Sequence, residues 1–306
     1  MQYNSSMRSL TLLLVLTLFL AGCTSIPGLQ GKPTYQSSLP LVQKPPPTYE
    51  AVLPIVSGQG GQPDPSWQIF PQLLDASLPG IDFSIKITTP VISGEAAVQH
   101  AAFTQAMQAQ VDDWMKAYSI EQLGTPESDM GWFVTVDYQV TSAPDWVPAI
   151  PFAVSSKAPA QQTPAQVLFS AGHEVLSILF EDFAYLGGAH PGTYYVALNY
   201  DTTAAKVLTL ADLFEPGADY LGLVSSLCIA ELQTRSDMVF PDFATSGAAA
   251  LQENYQVWAV TPQGLLVVFQ EYQVAPYAAG AQSVLLPYDA LAGQLDTAGP
   301  LSSFAK

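Results

Sequence analysis

The chain has 306 residues, 49% of them hydrophobic, and carries a formal charge of −17 from 9 Lys and Arg against 26 Asp and Glu. Such a surface repels nucleic acid and anionic headgroups, and no basic patch interleaved with aromatics offsets it, so nucleic-acid binding is excluded. Only Cys23 and Cys228 are present, so the fold must rest on hydrophobic burial and not on disulfides.

Residues 9–20, Ser-Leu-Thr-Leu-Leu-Leu-Val-Leu-Thr-Leu-Phe-Leu, follow Arg8 and precede Ala21-Gly22-Cys23. An apolar run this short reads as the core of an export signal, since a membrane span needs about 20 apolar residues. Residues 1–22 are therefore expected to be a signal peptide. Residues 23–78 are read as a tether, on the strength of Pro45-Pro46-Pro47, Gly58-Gln-Gly-Gly61 and Pro63-Asp-Pro65. Within it, the apolar residues near Trp67-Gln-Ile-Phe70 are candidates for docking on the folded body.

Order is expected from Gly80. Ile81-Asp-Phe-Ser-Ile-Lys-Ile87 alternates with period two and predicts a half-buried strand, punctuated from Pro90 to Gly94. Val98, Ala102, Phe103, Met107, Val111, Trp114 and Tyr118 recur at helical steps and predict a helix over about 95–118. Residues 132–140 predict a strand, 143–166 an excursion of undefined fold, and 173–185 with 193–200 a hairpin turned at Gly187-Gly188. A helical turn at 210–214, a helix over 219–235, strands at 256–260 and 265–270, an apolar run at 284–287 and a short helix at 288–295 complete the body. Helices and hairpins in separate runs predict an α+β fold with antiparallel sheets and a few packed helices, in one long or two short domains.

Several strings carry a family resemblance. Leu20-Ala21-Gly22-Cys23 resembles the bacterial lipobox, which implies that Cys23 is acylated and anchors the chain to a membrane. The implied location is extracytoplasmic, on the cell membrane or on an outer membrane if the host has one. Thr24 follows Cys23, so the Asp that holds lipoproteins at an inner membrane is absent. Tyr185-Leu-Gly-Gly-Ala-His190-Pro191, Asp201-Thr-Thr-Ala-Ala-Lys206 through Phe214, and Tyr272-Gln-Val-Ala-Pro276-Tyr277-Ala-Ala-Gly280 follow in order. Together they resemble the two-part outer domain of lysozyme-sensing anti-sigma factors, whose first half also precedes some peptidoglycan deacetylase domains, which implies two closely associated subdomains over 79–190 and 191–306. The chain departs from that pattern at Ala204, where the turn usually carries glycine after threonine, and at Gly192, where a polar residue is usual. No sigma-binding segment or deacetylase domain is evident in the sequence.

Candidate chemistry divides between two kinds of reading. His190 sits at a loop tip where catalysis is conceivable, yet Gly187-Gly188 and Pro191 explain the string as a rigid turn. The three histidines, His100, His173 and His190, lack metal-ligand spacing, so neither a metal nor a cofactor is expected. His100 and His173 are read as partners of surface carboxylates. Asp82, Asp137, Glu181 and Asp182 lie on predicted strands and supply material for a glycosidase acid and base, with nothing to select a pair. In Pro276-Tyr277-Ala-Ala-Gly280, small residues let a tyrosine project, and the resemblance places this loop in the module that engages lysozyme; the competing reading packs Tyr277 back on the sheet. The expected function is a lipid-anchored, non-enzymatic cell-envelope binding module for a lysozyme-like muramidase or peptidoglycan, with His190, Pro276, Tyr277 and Gly280 as ligand-binding candidates. The alternatives are a wall-glycan-modifying enzyme and an envelope-assembly scaffold.

Overall fold

The computed structural model describes residues 49–51, 68–78, 80–93, 95–126, 131–143, 146, 168–170, 172–235 and 240–305. The segment expected to be a signal peptide, Cys23 and most of the 143–166 excursion lie outside them. Among the described residues, no helix is long and apolar enough to cross a membrane.

In chain order the first strands are β1 (Tyr49–Ala51), β2 (Gln68–Asp75) and β3 (Phe83–Ser93). A 3₁₀ turn (Glu95–His100), α1 (Ala101–Ala117) and α2 (Ile120–Leu123) lead to β4 (Trp132–Val140). There follow β5 (Leu168–Ser170), β6 (His173–Tyr185), β7 (Gly192–Asp201) and β8 (Lys206–Val207). These eight strands make one sheet in the order β1-β2-β3-β4-β6-β7-β8, with β5 also paired to β6. Every pairing is antiparallel except β3 with β4, whose parallel register starts at Phe83 opposite Trp132. A parallel pair needs a crossover, and α1 supplies it.

The helix packs where its apolar stripe directs it. Phe103, Met107 and Trp114 bury against Ile85, Ile87, Val134, Val136, Ile178 and Phe180. The Trp114 and Phe180 rings meet edge to face at 5.4 Å. Burying each such side chain contributes about 1.5–3 kcal/mol. The strand β3 runs six residues past the expected end at Ile87 because Pro90 sits opposite Pro71, and β4 pairs with β3 only as far as Ile87. Proline lacks an N–H, and at that point the ladder asks β3 for no donor on the β4 side. The strands β1 and β2 lie in the stretch expected to be a tether.

The second part is smaller. A 3₁₀ turn at Leu210–Leu213, α3 (Tyr220–Leu232), α4 (Pro241–Gly247) and a 3₁₀ turn at Gln252–Tyr255 precede β9 (Trp258–Thr261), β10 (Gly264–Phe269) and β11 (Gln282–Leu286). The last helix is α5 (Tyr288–Leu291). The three strands form an antiparallel sheet in the order β11-β10-β9. Asp219 starts α3 by accepting the Gly222 N–H at 3.1 Å, and Pro241 starts α4, where its missing N–H costs nothing.

Val224, Cys228 and Leu232 of α3 cover one face of this sheet, against Val260, Leu265, Val267 and Phe269. Its other face meets the large sheet through Ala259, Leu266 and Val268 on one side and Leu179 and Tyr195 on the other. The layers therefore run α1, large sheet, small sheet, α3, and the fold is α+β as expected. A buried polar network ties the sheets together. Ser177 Oγ accepts the Val260 N–H at 2.9 Å and donates to Asn199 Oδ1, while Asn199 Nδ2 donates to the Trp258 carbonyl at 2.8 Å. Thr141 Oγ1 donates to the Val260 carbonyl at 3.0 Å. The expected subdomain boundary at 190/191 falls in the turn of the β6–β7 hairpin, and the large sheet continues to Val207.

Candidate functional site

Two connections meet at one end of β7. In the β6–β7 turn, Gly187 and Gly188 take φ of +87° and +96°, conformations that L side chains rarely adopt, and Tyr185 Oη donates to the Gly188 carbonyl at 3.2 Å. His190 is exposed, and its Nδ1 lies 3.0 Å from the Pro191 carbonyl, which fixes that nitrogen as the donor. Between β10 and β11, the Gln273 amide bonds the carbonyls of Gly247 and Asn254, both at 3.0 Å, and Val274 and Ala275 are buried. The loop is thus braced from beneath. Pro276 and Gly280 bound a single 3₁₀ turn over Tyr277–Ala279, with Gly280 at φ +67°.

Tyr277 joins the two connections. Its hydroxyl donates to the Pro191 carbonyl at 2.7 Å, and its ring stacks on His190 with centroids 3.8 Å apart and 24° between planes. Its other neighbour is Tyr272, at 5.6 Å and 30°. The structure therefore brings His190, Pro276, Tyr277 and Gly280 together. Tyr277 is half-buried and turned back onto the hairpin, and the ring that projects is Tyr272, 61% exposed. Tyr272 also stands at φ +67°, a strained conformation for a bulky residue, costing about 1–2 kcal/mol. Sequence reasoning did not single out Tyr272; only its backbone angle and exposure mark it.

Glu271 lies beside the rings, and burial raises its pKa against the opposing effects of the Thr193 N–H and of His190. Burial also raises the Tyr277 pKa, with Glu271 and Tyr272 adding to it, so its hydroxyl stays protonated.

The four strand carboxylates do not form one group. Asp137 and Glu181 face each other across β4 and β6. Burial, then Asp137, raises the Glu181 pKa, opposed by the Tyr195 hydroxyl donated at 3.1 Å. Asp182 points to the opposite face of the sheet, under α1. It is 4% exposed and accepts the Tyr118 hydroxyl at 2.5 Å through Oδ2, while Oδ1 has no partner among the described residues. Burial pushes its pKa up to about 6, with the Tyr118 hydrogen bond opposing. Asp82 is exposed in the turn before β3.

The histidines differ from expectation. His100 is buried with Nδ1 3.1 Å from Tyr200 Oη, because α1 seats the preceding 3₁₀ turn on the sheet, and that burial lowers its pKa. His173 Nδ1 lies 2.5 Å from Asp201, which is itself buried, not a surface carboxylate. Among the described residues, no three His, Cys, Asp or Glu side chains gather into a metal-binding group.

A cleft of about 490 Å³ opens farther along the same edge of β7. Ala197, Asn199, Leu208, Tyr220, Gln252 and Glu253 are among the residues that line it.

Among solved structures, a DUF3298 family member from Bacteroides fragilis superposes with a TM-score of 0.42 at 15% identity, over 78% of this chain and 96% of its own. A DUF3298 family protein from Pseudomonas aeruginosa gives 0.42 at 14% identity, over 75% and 94%. Among curated proteins, the peptidoglycan-N-acetylmuramic acid deacetylase PdaC of Bacillus subtilis is 32% identical over 114 residues, 37% of this chain and 24% of the deacetylase. The esterase Rv3036c of Mycobacterium tuberculosis is 29% identical over 115 residues, 38% of this chain and 50% of the esterase. The immunogenic protein MPT64 of the same species is 29% identical over 119 residues, 39% of this chain and 51% of its own length. The chain thus spans about half or less of the curated relatives it matches. Residues 211–289, which hold α3, the small sheet, Tyr272 and Tyr277, match the family described as "Protein of unknown function (DUF3298)".

Proposed function

We propose that this chain is a non-enzymatic binding module of the cell envelope, anchored through an acylated Cys23 and holding wall glycan on the Tyr272–Tyr277–His190 platform. The observation that carries this reading is Tyr272: a strained residue whose ring is exposed at the end of a braced aromatic stack. Strain of this kind persists only where the surroundings enforce it, and it concentrates at binding sites. The faces of sugar rings present C–H groups that stack on aromatic rings, and Glu271 beside the stack offers an acceptor for hydroxyls. The similarity to a peptidoglycan deacetylase over 114 residues supports a wall ligand.

A second reading, a cationic lysozyme-like partner, is favoured by the charge of −17, because complementary charge speeds encounter and aromatic faces attract cations. Enzymatic use of the carboxylates is a weaker reading. Asp182 lies on the face opposite Glu181, and Asp82 lies outside the strands, which leaves only Asp137 beside Glu181.

The test is co-sedimentation of the detergent-solubilised full chain with purified peptidoglycan sacculi, set against calorimetry with a cationic muramidase and an unrelated cationic protein across salt. Tyr272→Gly removes the ring and the backbone strain together, so the variant folds at least as well as the parent. Glycan binding predicts a loss of about tenfold in sacculus affinity, ~1.4 kcal/mol, in Tyr272→Gly. Unchanged sedimentation of the variant, or none by the parent, refutes the glycan reading. Salt-resistant muramidase binding without sacculus binding would establish the second.

A further inference from the structure

We infer that the cleft beside β7 binds a short extended peptide, pairing it to the backbone rung of Ala197, which none of the described residues bonds. The argument starts from alternation. In an antiparallel strand, successive residues direct their N–H and C=O groups to opposite edges. The Tyr195 N–H donates to Gln270 Oε1 at 3.0 Å, and the Tyr195 carbonyl accepts Gln270 Nε2 at 2.7 Å. The Asn199 carbonyl accepts the Leu208 N–H at 2.8 Å. Residues 195 and 199 thus turn their backbone groups away from β6, and so does Ala197 between them. Ala197 lines the cleft, and none of the described residues bonds to its backbone rung.

The flanking rungs define what fits. On one side a side-chain amide imitates a peptide group, and on the other the Leu208 peptide itself closes the edge. Between 195 and 199 the strand rises about 13 Å, room for roughly three residues of an added strand. A ligand with one N–H and one C=O at strand spacing satisfies Ala197 on both counts, which is peptide chemistry and not sugar chemistry. A cleft of about 490 Å³ falls within the size range of small-ligand sites. Leu208, Tyr220 and Leu221 give the lining apolar surface, and Glu253, also in the lining, is exposed. The occupant that matches is therefore a short, uncharged-backbone peptide carrying an amine side chain. This inference does not depend on the glycan reading, and its variants leave Tyr272 and Tyr277 in place.

The probe is the blocked tripeptide acetyl-Ala-Lys-Ala-amide, titrated into the ¹⁵N-labelled full chain. Saturable binding, a shift of the Ala197 amide and slower hydrogen exchange at that amide are expected. Ala197→Pro removes only the outward donor, a change edge strands tolerate, and should weaken binding at least tenfold. Glu253→Gln should weaken it about fivefold for this peptide while leaving acetyl-Ala-Ala-Ala-amide unaffected. A depsipeptide with an ester in place of the central amide tests the same rung from the ligand side, and decides the matter if Ala197→Pro does not fold. Absence of saturable binding, equal affinity of amide and ester probes, or shifts confined to residues away from Ala197 would overturn the inference.

Discussion

Replacing Asp182 by Asn tests the electrostatics of the α1 layer directly. In the unfolded chain this carboxyl titrates at its ordinary 3.8, and in the fold burial pushes it up to about 6. Between those values the folded state holds more proton than the unfolded state, so stability falls as pH rises through the window, and the loss is complete above pH 6. At 1.36 kcal/mol per unit the full deficit is ~3 kcal/mol, of which ~1.4 kcal/mol accrues between pH 5.0 and 7.5. Asn cannot ionise, and its carboxamide oxygen still accepts the Tyr118 hydroxyl. Any fixed cost of its unpaired N–H groups is present at both pH values and cancels in the difference. Urea unfolding followed by tryptophan fluorescence at pH 5.0 and 7.5 gives four stabilities. The parent should lose about 1.4 kcal/mol more than Asp182→Asn across that interval. Glu181 and Glu271, also shifted upward, contribute equally to both proteins. Parallel pH profiles, agreeing within about 0.5 kcal/mol, would show that Asp182 is solvated and the reasoning wrong.

Other outcomes follow from single residues. Ala205 stands at φ +50° in the β7–β8 turn, so Ala205→Gly should stabilise by about 1 kcal/mol and raise Tm by about 2–4 °C in calorimetry; no rise would place the strain elsewhere. Asn199→Ala strands the Ser177 hydroxyl and the Trp258 carbonyl between the sheets, and should cost about 2–4 kcal/mol in urea titration; a cost under about 0.5 kcal/mol would mean water replaces the network. Burial pushes the Cys228 thiol up to about 12, so in a Cys23→Ser chain a disulfide reagent should modify it only as fast as the protein unfolds. Rapid modification of the native chain would contradict that burial.

Periodicity made the strongest elements legible. Residues 132–140 and 173–185 become β4 and β6 at the boundaries their alternation implies, and the apolar stripe from Phe103 to Trp114 becomes the buried face of α1. What escaped was set by partners far along the chain. The strand β2 contains Pro71 and no clean alternation, and it becomes a strand because β3 lies beside it. The α+β class was readable from the runs of helices and hairpins. The parallel pairing of β3 with β4 was not, since direction is fixed by the crossover and not by either strand. In the candidate site, the His190 and Tyr277 strings were visible as motifs, but their stacking joins residues 87 positions apart. Tyr272 was invisible as a site residue because strain is a backbone property that the residue type does not encode.

The β3–β4 pairing also has a kinetic consequence. Phe83 and Trp132 meet across 49 residues of chain, whereas the β6–β7 hairpin closes over six residues, from Tyr185 to Gly192. Loop closure is slow and entropically costly for the former and fast for the latter. Assembly should therefore begin at the hairpin and finish at the crossover. Substitutions in the hairpin would then slow folding, while those at the Phe83–Trp132 end would chiefly hasten unfolding. The half of the sheet that forms last is also the half that joins the folded body to the stretch leading back to Cys23.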